Sequence, residues 1–315
     1  MKININLKIH YLILAAAISA TIFTALFFKR ASNVPLPPVN AQGRVLGEIT
    51  EKTRGPEVPK PLIRKLAGPI EFSGISSKAF LVFEYNDKTE LLKKNSHEKL
   101  PIASLTKLMT ALLAYEKLDM ESDLEILPED RVGINPSLGL LAGDKVRISD
   151  LLESSLICSA NDSAKALARA TAVKTDHDFV EEMNRRAKDL GMLETSFSNP
   201  LGFDSIYNFS TASDLAKLVN YTQNMAVFKN LGRKTGASFN SLKGKSYSCK
   251  ATNRLIGKNS EIEAIKTGLT PEAKGAMIAK VTRAGKTVVS IVLESENREG
   301  DLLMLSDLAF KTFDW

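Results

Sequence analysis

Residues 101–110 read Pro-Ile-Ala-Ser-Leu-Thr-Lys-Leu-Met-Thr, and they place Ser104 and Lys107 three residues apart, ahead of an apolar run at 108–118. Pro101 favours a helix that begins directly after it, because proline is tolerated in a first turn but not inside a helix. Residues three apart on a helix share one face, so the Ser104 hydroxyl and the Lys107 amine are predicted to meet. A first-turn N–H also lacks a partner within the helix. The stretch therefore offers a nucleophile, its base and half of an oxyanion hole.

The Ser-x-x-Lys spacing has a simpler interpretation, an ordinary helix start with an exposed lysine. The chain also contains a second copy, Ser96 to Lys99, within the polar stretch Asn-Ser-His-Glu-Lys. No apolar helix follows that copy before Pro101, so we interpret it as a loop. Other motifs in the chain must decide between the interpretations.

Two further triplets stand on predicted elements downstream. Ser-Ala-Asn at 159–161 lies between two apolar helices, and Lys-Thr-Gly at 266–268 ends an alternating strand. Each alone has an ordinary explanation: Ser-Ala-Asn is also a helix N-cap, and Lys-Thr-Gly recurs at 234–236 in a polar loop with no strand ahead. Taken together and in this order, the three motifs form the set found in penicillin-interacting serine enzymes.

From about residue 79 onwards the chain resembles the D-alanyl-D-alanine carboxypeptidase family, the low-molecular-mass penicillin-binding proteins. The stretches Ser-Ala-Asn-Asp-Ser-Ala, Leu-Gly-Met-Leu-Glu-Thr-Ser-Phe-Ser-Asn-Pro and Ile-Lys-Thr-Gly-Leu-Thr add to the resemblance. It implies a serine enzyme that removes the terminal D-Ala from peptidoglycan pentapeptide stems outside the cytoplasmic membrane. It also implies that no metal or other cofactor is needed and that β-lactams are covalent inhibitors.

The resemblance also assigns roles to residues. Ser104 is the expected nucleophile, Lys107 its base and Ser159 a proton relay to the leaving amine. For Lys107 to be neutral, its pKa must fall, and burial and the charge of Lys266 are both expected to lower it. The backbone N–H groups of Ser104 and Leu269 are expected to hold the oxyanion. The expected substrate-binding residues are Asn161, Lys266, Thr267, Gly268 and Leu269.

Two positions add open points to this assignment. Leu269 stands where the family often has a histidine or an aromatic residue, so its side chain is expected either to be unused or to change substrate preference. Arg298 follows the last predicted strand and is either a further ligand of the substrate carboxylate or a solvated surface residue.

The predicted elements indicate an α/β (α+β) fold of the β-lactamase/DD-peptidase type. Strands are predicted at both ends of the region, with helices between them: 78–85, 89–93, 262–267, 276–282 and 287–294. This order favours one antiparallel sheet built from both chain ends and flanked by helices, with an all-helical subdomain.

Three alternative functions remain on the same fold. A DD-endopeptidase and a β-lactamase share the acyl-enzyme, although we find no convincing match to the glutamate-containing loop of class A β-lactamases. A non-catalytic penicillin-binding sensor is the third. The intact Ser104, Lys107, Ser159, Asn161 and Lys266 argue against it, because a binding module needs no nucleophile.

Composition excludes several other classes. The 315 residues are 44% hydrophobic, and a net charge of +6 that is spread along the chain gives no indication of nucleic-acid binding. The three histidines include no His-Glu-x-x-His motif, so a zinc site is not expected. Cys158 and Cys249 are expected to be two small buried thiols, and pairing them is the alternative.

The N-terminal part predicts export. Residues 11–28 form an uncharged apolar run of about 18 residues, near the lower limit for a membrane span. We predict that residues 1–32 are a cytoplasmic tail and an uncleaved single-pass anchor, with a cleaved signal peptide as the alternative. Residues 33–69 hold seven of the twelve prolines and are predicted to be a semi-stiff tether. Residues 70–315 are the predicted extracytoplasmic catalytic domain.

Overall fold

The computed structural model describes residues 63–66, 68–229 and 231–314. Its strands are β1 (Arg64–Lys65), β2 (Ala79–Glu84), β3 (Glu90–Lys94), β4 (Leu100–Pro101), β5 (Asp123–Glu125), β6 (Lys145–Arg147), β7 (Phe209–Ser210), β8 (Gly236–Asn240), β9 (Ser246–Lys250), β10 (Ile262–Thr270), β11 (Lys274–Arg283), β12 (Lys286–Ser295) and β13 (Phe313–Asp314). Its helices are α1 (Lys107–Lys117), α2 (Ile148–Ile157), α3 (Asn161–Thr175), α4 (Phe179–Asp189), α5 (Ala212–Thr222), α6 (Ala226–Lys229) and α7 (Arg298–Thr312). Two 3-10 turns, Ala103–Thr106 and Pro128–Asp130, complete the set.

The central sheet contains five antiparallel strands in the order β10-β11-β12-β2-β3. Strands β2 and β3 come from the start of the region, and β10 to β12 come from its end. β12 therefore pairs with β2 although most of the region lies between these two strands in sequence. The antiparallel sheet predicted from both chain ends, with helices between, is confirmed. β10 is an edge strand of this sheet, and it carries the Lys-Thr-Gly motif.

Both faces of the sheet are buried, which explains why β2 reads Ala-Phe-Leu-Val-Phe without a polar residue until Glu84. Successive side chains of a strand point to opposite faces. Phe80 and Val82 belong to one buried apolar cluster, together with Leu305 of α7. Leu81 and Phe83 belong to a second cluster, which extends into the helical part of the molecule. The sheet is thus a middle layer with α7 on one face and the remaining helical part on the other.

Helix α1 is central to the helical part, because its first eight residues, from Lys107 to Ala114, are all buried. It contacts α2, α3 and α4. An apolar helix that is buried nearly all round needs neighbours on several sides, and the Ala-rich α3 allows close approach. This arrangement fixes the start of α1, and therefore Lys107, deep inside the protein.

The sequence patterns missed the β8–β9 ribbon, in which the two strands pair in antiparallel register from Gly236–Lys250 to Asn240–Ser246. Each strand is only five residues long and contributes just two alternating apolar residues, so the pattern that marks a half-buried strand is short. The last helix begins at Arg298, close after β12. The Asn297 side chain accepts a hydrogen bond from the N–H of Gly300 and caps α7 so that Arg298 is its first residue.

The predicted anchor at 11–28 and most of the predicted tether lie outside the described residues. Strand β1 falls within the stretch predicted as tether, and it pairs with β13 at the other end of the region. Among the residues that the structure describes, no helix has the length and apolar character needed to cross a membrane.

Candidate active site

Ser104 lies in the 3-10 turn Ala103–Thr106, and α1 begins only at Lys107. A 3-10 turn nearly eclipses residues three apart, so it brings these two side chains together more directly than an α-helical turn does. The Lys107 Nζ donates a hydrogen bond to the Ser104 Oγ at 2.9 Å. Ala103, directly before the serine, has a left-handed φ of +46°, a conformation that the surrounding packing must maintain.

The Lys107 amine is fully enclosed by protein. Its side chain is 0% exposed, and Nζ also donates to the carbonyl oxygen of Leu201 at 2.6 Å. Burial lowers the pKa of Lys107 to about 7, because a charged ammonium is poorly solvated there. Burial, one of the two predicted causes, therefore lowers the pKa of Lys107. The amine is neutral in a substantial fraction of molecules near pH 7.

A loop after α4 holds that carbonyl in place. The Asn199 Oδ1 accepts hydrogen bonds from the N–H groups of Leu201, Gly202 and Phe203 at 3.1, 2.7 and 3.0 Å. Gly202 has a φ of +83°, and a Cβ there would lie 1.9 Å from the Ala103 carbonyl oxygen. The loop therefore lies directly against the 3-10 turn Ala103–Thr106 that carries Ser104 (the serine turn). Sequence reasoning did not single out Asn199, and the Asn-Pro-Leu-Gly run is the local signal that marks this turn.

Ser159 and Asn161 lie at the junction of α2 and α3. Ser159 has a left-handed φ of +61°, and its buried Oγ has no hydrogen-bond partner in the part of the chain that is described. Asn161 is the first residue of α3 and is 3% exposed. Its Nδ2 donates to the Ile134 carbonyl at 2.9 Å, and its backbone N–H donates to the Pro136 carbonyl at 2.8 Å. Asn161 thus ties down the loop at 134–136.

Lys266 and Thr267 lie on the edge strand β10. Lys266 is 1% exposed, and its Nζ donates to the Thr267 carbonyl oxygen at 3.0 Å. Burial, together with the positive charges of Lys107 and Arg298, holds the pKa of Lys266 well below its usual range. The expected repulsion between Lys107 and Lys266 is therefore present, and it comes in addition to the burial of each amine. The Thr267 and Thr252 hydroxyl oxygens are 2.6 Å apart.

Gly268 brings the strand edge and the serine turn into contact. A Cβ at this position would lie 2.9 Å from both the Ala103 Cβ and the Ile102 carbonyl oxygen, and 3.2 Å from the Ser104 nitrogen. Only a residue without a side chain allows this approach without a shift of the backbone. The next residue, Leu269, has a side chain that is 72% exposed.

Arg298 is not a solvated surface residue, so that interpretation of the sequence is excluded. Its side chain is 13% exposed. The Nη1 group donates to the Gly268 carbonyl oxygen at 2.6 Å, and Nε donates to Glu299 at 3.2 Å. Arg298, the first residue of α7, therefore fixes the backbone of the Lys-Thr-Gly strand at the Gly268 carbonyl.

These pieces meet at an open cleft of about 500 Å³, a size that suits a small ligand. Its walls include Ser104, Ser159, Thr267, Gly268, Leu269 and Arg298. Lys107, Asn161 and Lys266 lie behind these walls. Arg254, which the sequence did not single out, adds an exposed guanidinium to the lining.

The expectation of two free buried thiols is wrong. Cys158 and Cys249 form a disulfide, with their Cα atoms 6.0 Å apart. They are separated by 91 residues in sequence, and only the packing of the β8–β9 ribbon against α2 brings them together.

The second copies of the two motifs lie elsewhere. Ser96 is in a turn after β3, where its carbonyl oxygen accepts from the N–H of Ser213. Lys234 precedes β8 at the surface and pairs with Glu153. Neither residue lines the cleft that contains Ser104.

The family model of the D-alanyl-D-alanine carboxypeptidases, peptidase family S11, matches residues 67–297. The chain belongs to this family. The resemblance seen in the motifs is thereby confirmed, and it covers nearly all of the region that the structure describes.

Individual relatives agree with this membership. The D-alanyl-D-alanine carboxypeptidase DacF of Bacillus subtilis is 29% identical over 249 residues, which are 76% of this chain and 63% of the relative. This chain thus spans less than two thirds of that relative's length. The crystal structure of the Streptomyces K15 DD-transpeptidase superimposes with a TM-score of 0.70 at 27% identity, covering 78% of this chain and 100% of that one. Penicillin-binding protein D2 of Listeria monocytogenes, in its ampicillin-bound form, gives a TM-score of 0.65 at 30% identity, covering 76% and 99%.

Replacing Gly268 by alanine is expected to slow covalent labelling by a penicillin by about 10- to 100-fold. The new methyl group collides with the serine turn, and displacements of about 1 Å cost rates of this order. The rate is measured by the mass shift of the protein over time. Gly133→Ala is the matched control, because a Cβ at Gly133 has nothing within 4 Å. A Gly268→Ala protein that labels as fast as the Gly133→Ala protein would contradict this account.

The acylation rate is expected to rise with pH through about 7 and to level off above it. Lys107 can accept the Ser104 proton only when neutral, and its pKa is lowered to about 7, so the ammonium form blocks the reaction below that pH. Well below pH 7 the rate should fall about tenfold per pH unit. Stopped-flow acylation between pH 5 and pH 9 measures this limb. A rate that is flat from pH 5 to pH 7 would contradict Lys107 as the base.

Proposed function

We propose that this protein is a serine D-alanyl-D-alanine carboxypeptidase, which trims the terminal D-Ala of peptidoglycan stem peptides through an acyl-enzyme. The observation that carries the proposal is the 2.9 Å hydrogen bond between the buried Lys107 amine and the Ser104 hydroxyl, at the wall of an open cleft. A buried lysine with a pKa near neutrality beside a hydroxyl is the arrangement that activates a serine without a histidine.

In the acylation step, Ser104 attacks the carbonyl between the two D-Ala residues and Lys107 takes its proton. The backbone N–H groups of Ser104 and Leu269 stabilise the oxyanion. This role is supported by the close approach of Gly268 to the Ser104 nitrogen, which puts the strand edge and the turn on the same side of the cleft. Ser159 passes a proton to the leaving amine, and its Oγ has no competing partner among the described residues.

The terminal carboxylate of the substrate is held by Lys266 and Thr267, and Arg298 lies beside them in the cleft wall. The protein places three basic side chains near one another here, and the pKa of Lys266 is lowered by burial and further by the charges of Lys107 and Arg298. A bound carboxylate offsets that repulsion and favours the charged lysine. The substrate-binding role predicted for Asn161 requires its amide group to exchange the Ile134 carbonyl for the peptide of the substrate.

Hydrolysis of the acyl-enzyme completes the reaction, and β-lactams stop it at this stage. The residues that line the cleft include no aspartate or glutamate in the described part of the chain, so the glutamate that activates the deacylating water in class A β-lactamases has no counterpart there. This favours a slowly hydrolysed penicillin adduct over β-lactamase activity. The open shape of the cleft also admits an amine or a cross-linked peptide, so endopeptidase activity is the second candidate.

Covalent labelling and D-Ala release test the proposal together. The full-length protein is incubated with a fluorescent penicillin and, separately, with a pentapeptide that ends in D-Ala-D-Ala. We expect stable labelling and release of free D-Ala. Both should be lost in Ser104→Ala and kept in Ser96→Ala, because only Ser104 contacts the buried lysine.

The two Lys-Thr-Gly copies provide the matched control for the same assays. Lys266→Ala should reduce acylation by at least about tenfold, since it removes a charged ligand of the carboxylate, whereas Lys234→Ala removes only a surface ion pair and should be nearly silent. The opposite pattern would show that the other copy is the functional one. Labelling without D-Ala release from the pentapeptide would exclude the carboxypeptidase assignment and favour a sensor or an endopeptidase.

We also propose that residues 1–32 anchor the protein in the cytoplasmic membrane and that the stretch from residue 33 up to β1 tethers the catalytic domain outside it. The support is the uncharged apolar run at 11–28 and the proline-rich stretch after it. The natural protein should remain in the membrane fraction after an alkaline wash, and its N-terminal peptide should be detected by mass spectrometry. A mature protein that lacks residues 11–28 would contradict the anchor and support a cleaved signal peptide.

A further inference from the structure

The disulfide lies directly beside one of the cleft residues. Cys158 ends α2, and the next residue, Ser159, adopts the left-handed conformation that costs free energy for any residue with a side chain. Such a turn persists only where the surrounding structure holds it. The Ser159 Oγ has no hydrogen-bond partner in the described residues, so the side chain does not hold its own turn.

The helix side of this turn is fixed by hydrogen bonds. The N–H groups of Cys158 and Ala160 both donate to the Ser154 carbonyl, at 3.1 and 3.2 Å. The Ser154 hydroxyl in turn lies 2.9 Å from the Ser163 hydroxyl in α3. These contacts join α2 to α3, but they leave the turn without support on the side that faces the β8–β9 ribbon.

The disulfide and one threonine provide that support. Cys249 on β9 is bonded to Cys158, and the Thr252 N–H and hydroxyl both donate to the Ile157 carbonyl, at 3.1 and 3.3 Å. The Thr252 hydroxyl also contacts that of Thr267. A continuous link therefore runs from the Ser159 turn through the segment after β9 to the Lys-Thr-Gly strand.

Apolar packing immediately around the disulfide is limited. The buried cluster there contains only Ile157, Cys158 and Ala237 among the described residues, with a few half-buried neighbours. The ribbon also packs on the large core through Tyr247 of β9 and the half-buried Phe239 of β8. The covalent bond is therefore the connection that joins the ribbon to Cys158 itself, next to the Ser159 turn.

We propose that the Cys158–Cys249 disulfide is a positioning element of the active site, which holds the Ser159 hydroxyl where it can pass a proton to the leaving amine. The inference rests on the carboxypeptidase function proposed above. Without the bond, the turn relaxes out of the left-handed conformation and the hydroxyl spends most of its time out of reach. Turnover then falls while the carboxylate-binding residues on β10 stay in place.

The same bond makes activity depend on the redox state of the medium. A dithiol reductant such as dithiothreitol passes two electrons and two protons to the protein: the S–S bond breaks into two thiols, and the reductant closes into a cyclic disulfide. Cys249 is half-buried whereas Cys158 is buried, so Cys249 is the more exposed partner of the disulfide. Reoxidation reverses the reaction and restores the turn.

A double-mutant cycle on the full-length protein tests the inference. The members are the parent, Cys158→Ala/Cys249→Ala, Ser159→Ala and the triple variant, each assayed for D-Ala release well below its Tm. We expect the cysteine variant to lose about 10- to 100-fold in kcat, with KM changed by no more than about twofold. In the Ser159→Ala background, removal of the cysteines should change kcat by no more than about twofold, since the residue that they position is already absent.

Leu305→Ala controls for a general loss of stability. Leu305 is fully buried in α7 against the far face of the sheet, so this variant lowers the Tm without touching the cleft. It should keep the parent's kcat. Treatment of the parent with dithiothreitol should reproduce the loss reversibly, which also covers the case in which the double cysteine variant does not fold.

Three results would overturn the inference: a disulfide-free or reduced protein with the parent's kcat, an equal loss of kcat in Leu305→Ala, or a full further loss in the Ser159→Ala background. Each would leave the bond a role in stability alone. Failure of the carboxypeptidase proposal has a different signature, because the oxidised parent itself would then release no D-Ala.

Discussion

The structure depends on the burial of one amine. Lys107 begins α1 inside the protein, and its Nζ has as partners the Ser104 hydroxyl and the Leu201 carbonyl. No carboxylate pairs with it among the contacts of the described residues, so burial favours the neutral form. A carboxylate in the place of the Leu201 carbonyl would stabilise the ammonium and remove the base. The Asn199 loop matters because it places a neutral backbone carbonyl beside the Lys107 amine. A neutral carbonyl stabilises the ammonium less than a carboxylate would.

The central sheet makes this burial possible. Its two faces are covered by separate cores, and the strands from the two chain ends are joined through β12 and β2. The edge strand β10 is thereby fixed beside the serine turn, close enough that only glycine fits at position 268. The edge of a sheet normally needs protection from other strands. Here the serine turn lies against the edge strand β10. The cleft is the opening beside this strand that the turn does not cover.

The positive charges in the site are costly for folding. Lys107 and Lys266 are both buried with lowered pKa values, and Arg298 lies nearby. Buried basic groups without acidic partners destabilise a fold, and function is the usual reason that they are retained. A ligand that carries a carboxylate offsets this cost and so binds the folded state preferentially. The cost of burying these groups and the proposed binding of an anionic peptide end therefore have one origin.

The sequence by itself determined the fold class, the antiparallel sheet flanked by helices and the identity of the three motifs. The motifs are recognised by the spacing of residues that are close in sequence. The strands are recognised by the pattern of apolar residues within short stretches. Only the tertiary structure decided the Cys158–Cys249 bond, the contact of Arg298 with the Gly268 carbonyl and the engagement of Asn161 with Ile134. It also decided that Lys107 is buried deeply enough for its pKa to fall. The reason is physical: each of these features joins residues that are far apart in the chain, and their distance and solvent exposure exist only once the core has packed.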